Sequence, residues 1–391
     1  MTSIADSAVQ VRRIRPAWAE IDLEAVRHNA GLLAGQVKPA KLCAVVKAGG
    51  YGHGAVQVAR AALAGGADWL AVALVEEGIE LRDAGIRAPV LLLSEPVPQA
   101  MAEVVAAGLT PTIYTTDGLD ALVSAARART DAAQPYPLHV KVDTGMHRVG
   151  AAADEAVSLA VRAASTPGLR LEGFWTHLAV SDERDNPFTS QQIDRFDDAR
   201  ASLQGSGVAP AMLHAANSAA ALWYPRSRFD MVRCGISLYG LASDASLADV
   251  PPADRLRPAM SLKANVSFVK PVSAGERISY GLRYRAESDC LVATVPLGYA
   301  DGVTRSLAAA GAEVLIGGAR LPVAGTVTMD QLMVDCGAER QVRPGDEVVL
   351  IGRQGDESIS AWEWAERTGT IAYEVVCGIS SRVPRVYLGG S

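Results

Sequence analysis

The sequence has few aromatic residues and no long apolar run, and each absence excludes something. Phe, Trp and Tyr make up only 5% of the 391 residues, so the core must be built from Ala, Val and Leu. No stretch reaches the ~18 uncharged apolar residues that a membrane-spanning helix needs. The first twenty residues contain neither an apolar run nor a small-residue cleavage site, which predicts a cytoplasmic protein without a secretory signal.

Paired cysteines and a basic charge are also missing. The cysteines stand singly and form no C-x-x-C pair: Cys43, Cys234, Cys290, Cys336 and Cys377. An odd number of isolated cysteines argues against a disulfide framework and against a zinc site, so we expect buried reduced thiols and no metal ion. The formal net charge of -6 gives no basic surface for nucleic acid or an anionic membrane. Composition therefore predicts a soluble globular protein.

Short apolar runs alternate with longer amphipathic segments from about residue 40 to residue 240. This alternation implies a parallel sheet, and eight units over this length favour a closed (β/α)₈ barrel. A doubly wound open sheet is the alternative, although six strands are commoner there. The predicted strands cover 41–47, 69–72, 90–93, 111–114, 138–142, 171–175, 211–213 and 231–236, and predicted helices cover 56–64, 76–84 and 99–107.

The pattern changes after Gly240. Residues 241–258 are rich in Pro, Ser and Asp and are typical of a linker. The Val-rich runs beyond it predict a mostly β domain, a small barrel or a sandwich, with one helix over 361–367. We therefore predict two domains, residues 13–245 and 246–391. The predicted strands of the second domain cover 262–269, 291–295, 313–316, 321–323, 332–334 and 347–351.

Lys47 ends the first apolar strand of the predicted barrel, and four glycines occur in the next seven residues. A lysine at this end of a strand points into the mouth of the barrel, where active sites lie. Burial lowers the pKa of a lysine and makes it a good Schiff-base amine. The alternative is a surface lysine that ends the strand.

Two further strand ends carry polar residues. Lys141 and Asp143 share one strand face and Arg148 follows in the loop, which favours either an anion site or a structural salt bridge. His177 ends the next strand and is a candidate for stacking on a ligand ring, although a lone histidine is usually structural.

The segments after the seventh and eighth strands lie where barrels commonly bind phosphate. The first contains Asn217 and Ser218, either of which alone would more often be a helix N-cap. The second contains Arg233 and Gly235, and the glycine would let a main-chain N–H meet a phosphate oxygen.

Two tyrosines of the predicted β domain, Tyr280 and Tyr299, lie beside glycines, where a half-buried sheet aromatic is the simpler interpretation.

Taken together, these segments resemble the alanine racemases, a family of fold-type III pyridoxal-phosphate enzymes with a barrel and a β domain. The run AVVKA-x-x-YGHG around Lys47 resembles the cofactor-lysine signature of the family, and seven segments match in order and spacing from about Trp18 to Tyr387. The resemblance implies interconversion of L-alanine and D-alanine with pyridoxal 5'-phosphate, which supplies D-alanine for peptidoglycan. It also implies a homodimer with shared active sites, because the family tyrosine comes from the partner chain.

The resemblance also implies the site residues. Lys47 and Tyr280 would be the two bases that serve opposite faces of the cofactor adduct. Arg233 would bond the ring nitrogen, and Lys141 would be a carbamate supporting Arg148. Asp330 would support the loop that carries Met329. Because a tyrosine with an unperturbed pKa near ~10 needs a nearby cation to act as a base, Arg305 is the candidate for that cation. The cofactor-binding set would be Lys47, Tyr51, Arg148, His177, Asn217, Ser218, Arg233, Gly235, Ile236 and Tyr373, and the substrate-binding set Arg148, Tyr299 and Met329.

Several positions depart from the family pattern. Gly49 and Gly50 stand where Asp or Asn followed by Ala is usual, and Ala372 stands where Asn is frequent. Asn265 and Thr326 both replace common arginines of the substrate entryway. A broader-specificity or serine racemase is therefore the nearest alternative.

Two more distant alternatives fit less well. An amino-acid decarboxylase of the same barrel class usually has an acidic residue at the ring nitrogen, and Arg233 argues against that. A non-catalytic cofactor-binding protein of the single-barrel kind would lack the β domain that carries Tyr280.

Overall fold

The computed structural model describes residues 14–129 and 134–389, and the chain divides into two compact units. The barrel unit comprises Asp22–Ala259 and the described residues from Tyr387 onward. The β unit comprises Met260–Val386 and the described residues up to Ile21. The sequence-based boundary at 245/246 thus lies within the barrel unit, which also contains the predicted linker.

The described chain opens with strand β1 (Ala17–Asp22) and helix α1 (Leu23–Val37), neither of which the sequence predicted. The carboxylate of Asp22 accepts the Ala25 N–H at 2.9 Å and caps the helix. Strand β1 pairs antiparallel with residues of the β unit, from Ala17 opposite Ala264 to Ile21 opposite Met260. The predicted first domain, 13–245, therefore included a strand that belongs to the other unit.

All eight predicted barrel strands are present, and every pairing between them is parallel. They form two four-stranded arcs, and a parallel bridge between Leu91 and Thr110 joins the arcs. The predicted (β/α)₈ barrel is confirmed, and the doubly wound alternative was wrong. The strands are β2 (Lys41–Val45), β3 (Trp69–Val72), β4 (Val90–Leu92), β5 (Thr112–Ile113), β6 (Tyr136–Lys141), β7 (Leu169–Trp175), β8 (Met212–His214) and β9 (Met231–Cys234).

The helical segments of the barrel unit alternate with its strands, and their apolar faces build its core. Helix α6 is typical, since Thr115 caps it and Leu119 and Leu122 are fully buried against β6 and β7 residues. The segments are α2 (Lys47–Tyr51), α3 (Ala55–Ala64), α4 (Val75–Asp83), α5 (Met101–Ala106), α6 (Thr116–Arg127), α7 (Ala153–Ser165), α8 (Phe188–Gly205) and α9 (Ser218–Trp223).

The described part of the β unit has one large sheet, one small antiparallel sheet and a two-stranded hairpin. Its strands are β10 (Met260–Asn265), β11 (Phe268–Val272), β12 (Arg277–Ile278), β13 (Tyr284–Arg285), β14 (Cys290–Val295), β15 (Glu313–Ile316), β16 (Ala319–Pro322), β17 (Leu332–Asp335), β18 (Glu347–Gln354), β19 (Glu357–Ile359) and β20 (Arg385–Leu388). Its helices are α10 (Ser306–Ala309), α11 (Ala361–Thr368) and α12 (Ala372–Gly378).

The predicted strand 262–269 is in fact two strands, because the chain changes sheets at its middle. Strand β10 pairs with β18, whereas β11 pairs with β14. The Val266 N–H donates to Asp346 O and the next N–H, of Ser267, donates to Thr294 O, both at 2.9 Å. Two consecutive main-chain N–H groups therefore bond to different sheets, and the residue types of this segment do not reveal that change.

Four cysteines are buried as expected, but Cys377 is exposed. Within residues 14–129 and 134–389, no helix is long and apolar enough to span a bilayer, and no group of three or more His, Cys, Asp or Glu is placed to hold a metal ion.

Candidate active site

Lys47 lies just beyond the end of β2 and begins a turn with a left-handed main chain. Residues 48–51 have φ values between 51° and 64°. This conformation is costly for any residue with a Cβ, and glycine adopts it freely. Gly49 and Gly50 supply two of the four positions, and a Cβ at Gly50 would lie only 3.1 Å from the Ala55 nitrogen. The two glycines that depart from the family pattern therefore suit the geometry of this turn.

Glu77, a residue that sequence reasoning missed, anchors the same turn. One carboxylate oxygen accepts the Ala48 N–H at 2.5 Å, and the other accepts the N–H groups of Ala73 and Leu74 at 2.8 and 3.1 Å. The residue after Lys47 is thereby tied to the start of α4. Because these are charge-assisted bonds to main chain, they fix the position of the Lys47 backbone strongly.

Tyr51 ends the turn with its hydroxyl beside the main chain that follows β9. Its ring stacks on Tyr239 at 4.8 Å, and the Tyr239 hydroxyl donates to Val45 O at 2.9 Å. A Cβ at Gly235 would overlap the Tyr51 hydroxyl, so only glycine allows this approach. The Gly235 N–H donates to Ser218 Oγ at 2.9 Å. Two hydroxyls and a main-chain N–H thus converge in the manner of a phosphate cradle.

The neighbours of this cradle have different roles. Ile236 is fully buried and starts a short 3₁₀ turn. Asn217 is the N-cap of α9, where its side-chain oxygen accepts the Ala220 N–H at 3.1 Å and the Ser181 hydroxyl at 2.8 Å. Asn217 therefore caps α9, and its contact with a cofactor stays a prediction.

Lys141 is buried in a cluster of cations. Its Nζ lies 4.2 Å from the centre of the Trp175 ring. Burial, and then the charges of Arg233 and Arg148, lower the pKa of Lys141 to about 7, with a smaller contribution from Lys47. Lys141 is therefore poised to be a neutral amine near physiological pH.

Asp143 faces its own loop. Its carboxylate accepts the N–H groups of Gly145, Met146 and His147 at 2.8–3.2 Å, and these bonds lower its pKa despite partial burial. Arg148 follows this loop and is exposed. Asp143 thus fixes the loop that carries Arg148.

Arg233 is almost completely buried, and its guanidinium is held by several acceptors. It donates to Thr176 O and Ala215 O, each at 2.9 Å, and to His214 Nδ1 at 2.7 Å. It also lies 3.3 Å from Nδ1 of His177, a half-buried side chain. Burial lowers the pKa of Arg233 to about 10, so it stays charged at neutral pH. Burial, and then the charge of Arg233, hold the pKa of His177 well below its usual value, so this ring is neutral.

A chain of two buried histidines, missed by sequence reasoning, runs from Arg233 through the barrel. His214 Nε2 lies 2.9 Å from His139 Nδ1, and His139 Nε2 lies 3.7 Å from the Glu172 carboxylate. Burial lowers the pKa of both histidines. Because arginine only donates, His214 must accept at Nδ1 and donate from Nε2, and His139 must in turn carry its proton on Nε2. A Cβ at Gly173 would overlap the His139 ring, so this glycine makes room for the chain.

The β unit contains a second group of predicted site residues, around an open cavity of about 1390 Å³. Tyr280 is 72% exposed, and Tyr299 and Met329 also present much of their surface to solvent. Tyr373 lies on α12 of the same unit and is half-buried. Asn265 is not among the described residues that line the cavity, and its side chain donates to Gly345 O at 2.8 Å. The predicted residues that line the cavity are Tyr280, Tyr299, Arg305, Met329 and Asp330.

Asp301, another residue that sequence reasoning missed, holds the loop that carries Tyr299. Its fully buried carboxylate accepts two bonds from Arg15, at 2.6 and 2.5 Å, and the Gly298 N–H at 2.9 Å. These bonds lower the pKa of Asp301 in spite of burial. The Tyr299 N–H donates to Thr328 O at 3.0 Å, which ties this loop to the one that carries Met329.

The fold and the site define a class: a (β/α)₈ barrel with a lysine and a phosphate-type cradle at its mouth, followed by a β unit with exposed tyrosines. The family model described as "Alanine racemase, N-terminal domain" matches residues 21–243, and the model described as "Alanine racemase, C-terminal domain" matches residues 259–387. The chain belongs to the alanine racemase family, as the sequence resemblance indicated.

Individual relatives are similar over almost the whole chain. The alanine racemase of Symbiobacterium thermophilum is 47% identical over 96% of this chain and 98% of that one, and alanine racemase 1 of Bacillus subtilis is 42% identical over 96% and 93%. The solved alanine racemase of D-cycloserine-producing Streptomyces lavendulae has a TM-score of 0.90 at 40% identity, covering 96% of this chain and 98% of that chain. The Bacillus anthracis alanine racemase, solved with bound L-Ala-P, has a TM-score of 0.88 at 38% identity and covers 96% of each chain.

Proposed function

We propose that this protein interconverts L-alanine and D-alanine with pyridoxal 5'-phosphate, using Lys47 and Tyr280 as two acid/base groups. The observation that carries the proposal is the cation-rich barrel mouth. Burial and the charges of Arg233, Arg148 and Lys47 lower the pKa of Lys141, and the same cations surround the neutral His177 ring. Such a site suits a small ligand that carries a phosphate and a carboxylate.

The residues at the barrel mouth fit pyridoxal phosphate. Bound to an amino acid, this cofactor withdraws electrons and makes the α-proton removable. Lys47 would bind it covalently, and His177 would lie against its ring. The convergence of Tyr51, Ser218 and Gly235 supports a phosphate site there, because glycine at position 235 leaves room for the Tyr51 hydroxyl beside its N–H. Ile236, Asn217 and Tyr373 would complete the cofactor-binding set.

Arg233 sets the chemical character of the ring-nitrogen position. A carboxylate there would keep the nitrogen protonated, whereas arginine can only donate and stays charged. The histidine chain holds the guanidinium through His214, and its far end meets Glu172, a carboxylate that also pairs with Arg170 at 2.9 Å. Electron withdrawal is therefore restrained, which suits a racemase that must avoid decarboxylation and transamination.

Racemisation needs a proton to leave one face of the α-carbon and another to arrive on the opposite face. We assign Lys47 to one face and Tyr280 to the other, with Arg148, Tyr299 and Met329 at the substrate. Because Tyr280 is 72% exposed on its own chain, its position supports a head-to-tail homodimer in which it serves the partner's barrel. The D-alanine made would feed peptidoglycan synthesis in the cytoplasm, a compartment that suits the four buried thiols.

The test is racemisation of L-alanine by the purified protein with added cofactor, together with α-proton exchange of each enantiomer in D₂O. Replacing Tyr280→Phe should leave the absorbance band of the lysine-bound cofactor, still lost on borohydride treatment. Racemisation should fall by about 10²–10⁴-fold, the range for a general acid/base. The enantiomer whose proton faces Lys47 should still exchange, while the other should not.

Tyr284→Phe is the matched control. Its hydroxyl donates to Asp335 at 2.7 Å and lies outside the proposed chemistry, so exchange of both enantiomers should persist. Wild-type racemisation and equal exchange in Tyr280→Phe would refute the two-base assignment.

A broader-specificity or serine racemase is the second candidate, favoured by Thr326 in place of an arginine. Turnover of L-serine at a rate close to that of L-alanine would support it.

A further inference from the structure

The segment that carries Tyr280 has a strained main chain. Ser279 has φ 69° and ψ −177°, a region that is essentially restricted to glycine, and Leu282 has φ 51°. Conformations of this kind persist only where neighbouring groups enforce them, and they often occur where a functional group must be held in one place.

Thr326 and Ser279 enforce this conformation with a reciprocal pair of hydrogen bonds. The Ser279 hydroxyl donates to Thr326 O at 2.7 Å, and the Thr326 hydroxyl donates to Tyr280 O at 2.8 Å. Thr326 is 8% exposed, so solvent competes little for its hydroxyl. Gly325 allows the close approach, because a Cβ there would lie 2.6 Å from the Ser279 Cβ.

Tyr280 depends on this main-chain support more than a buried tyrosine would. With 72% of its surface exposed, its side chain receives little packing from its own chain. The place of the phenol hydroxyl is then set by the backbone that carries it. A displacement of ~1 Å at a reacting group can cost about 100-fold in rate.

We infer that Thr326 is a positioning residue for Tyr280: its hydroxyl, paired with that of Ser279, fixes the main chain from which the phenol extends. This inference rests on the proposed function and gives a role to a position where relatives commonly carry arginine. Loss of the hydroxyl should impair the proton transfer that Tyr280 serves and spare the one that Lys47 serves.

The experiment compares Thr326→Val, Thr326→Ser and the wild type as holoenzymes, by α-proton exchange of L-alanine and D-alanine separately in D₂O. Thr326→Val should reduce exchange of the enantiomer that depends on Tyr280 by about tenfold or more. Exchange of the other enantiomer should change less than about threefold, within the effect of one neutral hydrogen bond. Thr326→Ser should restore the first rate, because it keeps the donor.

Two further variants make the result decisive. Thr166→Val removes a hydroxyl that donates to Arg162 O at 2.7 Å in the barrel unit, and it should leave both rates unchanged. Ser279→Gly relieves the strain, favours folding and removes one of the two bonds, so it should show the same selective loss even if Thr326→Val fails to fold.

The inference and the proposed function fail in different ways. Suppose that Tyr280→Phe shows the selective loss of exchange, but Thr326→Val and Ser279→Gly slow the exchange of both enantiomers equally or of neither. Then only the positioning role is wrong. If Tyr280→Phe itself shows no selectivity, the two-base assignment is wrong.

Discussion

The Lys141 amine should be mostly uncharged at pH 8 and should react with carbon dioxide. Its pKa is lowered from 10.5 to about 7 by burial and by Arg233 and Arg148. At pH 8 this gives about 90% neutral amine against roughly 0.3% for an ordinary lysine, a gain of about 300-fold. The amine lone pair forms a bond to the carbon of carbon dioxide, the electron pair of one C=O π bond moves to that oxygen, and an N–H proton goes to solvent, which leaves a carbamate anion. The arginine charges that oppose an ammonium group favour that anion.

The assay is ¹³C NMR of the protein in ¹³C-labelled bicarbonate. A carbamate signal should appear at pH 8, weaken as the pH falls through about 7, and be absent in Lys141→Met. Lys263 is the control, because its bonds to Glu20 and Glu347 at 2.9 and 3.4 Å outweigh desolvation and raise its pKa. Lys263→Met should therefore keep the signal. A signal that survives Lys141→Met, or no signal from the wild type at pH 8, would refute the reasoning.

Two stability predictions concern the buried partners of arginines. His214→Phe keeps the ring that stacks on Trp175 but removes an acceptor of Arg233, so the free energy of unfolding should fall by about 1.5–3 kcal/mol in urea titration; an unchanged midpoint would contradict this. Asp301→Asn removes the charge that pairs with Arg15, so the free energy of unfolding should fall by about 3 kcal/mol at neutral pH. Because the folded-state pKa of Asp301 is lowered, its contribution is present above the unfolded value near ~3.9 and is lost as the pH falls through the folded value. The difference in the free energy of unfolding between wild type and Asp301→Asn should become smaller in acid. A difference that does not depend on pH would contradict the stabilising role of the Asp301 charge.

The barrel could be predicted from the sequence because its strands are continuous apolar runs between amphipathic helices. Strands β2–β9 all appear within a few residues of their predicted bounds. Strand β1 could not be assigned in the same way, since its partner β10 lies more than 200 residues away. The break between β10 and β11 was missed because the alternation of apolar and polar residues continues without interruption from Leu262 to Phe268, and only the acceptors of two consecutive N–H groups mark the change of sheet.

The candidate site was predictable to the extent that its residues stand at strand ends. Lys47 and His177 follow that rule, whereas Arg233 lies within β9. The histidine chain could not be found in this way. His139 lies within β6 and His214 ends β8, and the two rings meet only because the intervening strand β7 has Gly173 at this point. Glu77 is similar, since nothing in its own segment indicates a bond to the turn after Lys47. The sequence thus indicated individual site residues, but not the residues that bond to them in the fold.

The charges of the barrel mouth are arranged for a ligand to neutralise. The groups that act on Lys141 are Arg233, Arg148 and Lys47 against a single acid, Asp143, whose carboxylate is already committed to main-chain N–H groups. The acid at the far end of the histidine chain, Glu172, lies two imidazoles away from Arg233 and already pairs with Arg170 at 2.9 Å. Like charges held together in a buried place cost free energy, and an anionic ligand recovers that cost when it binds. On the proposed function, a phosphate and a carboxylate would together supply that negative charge.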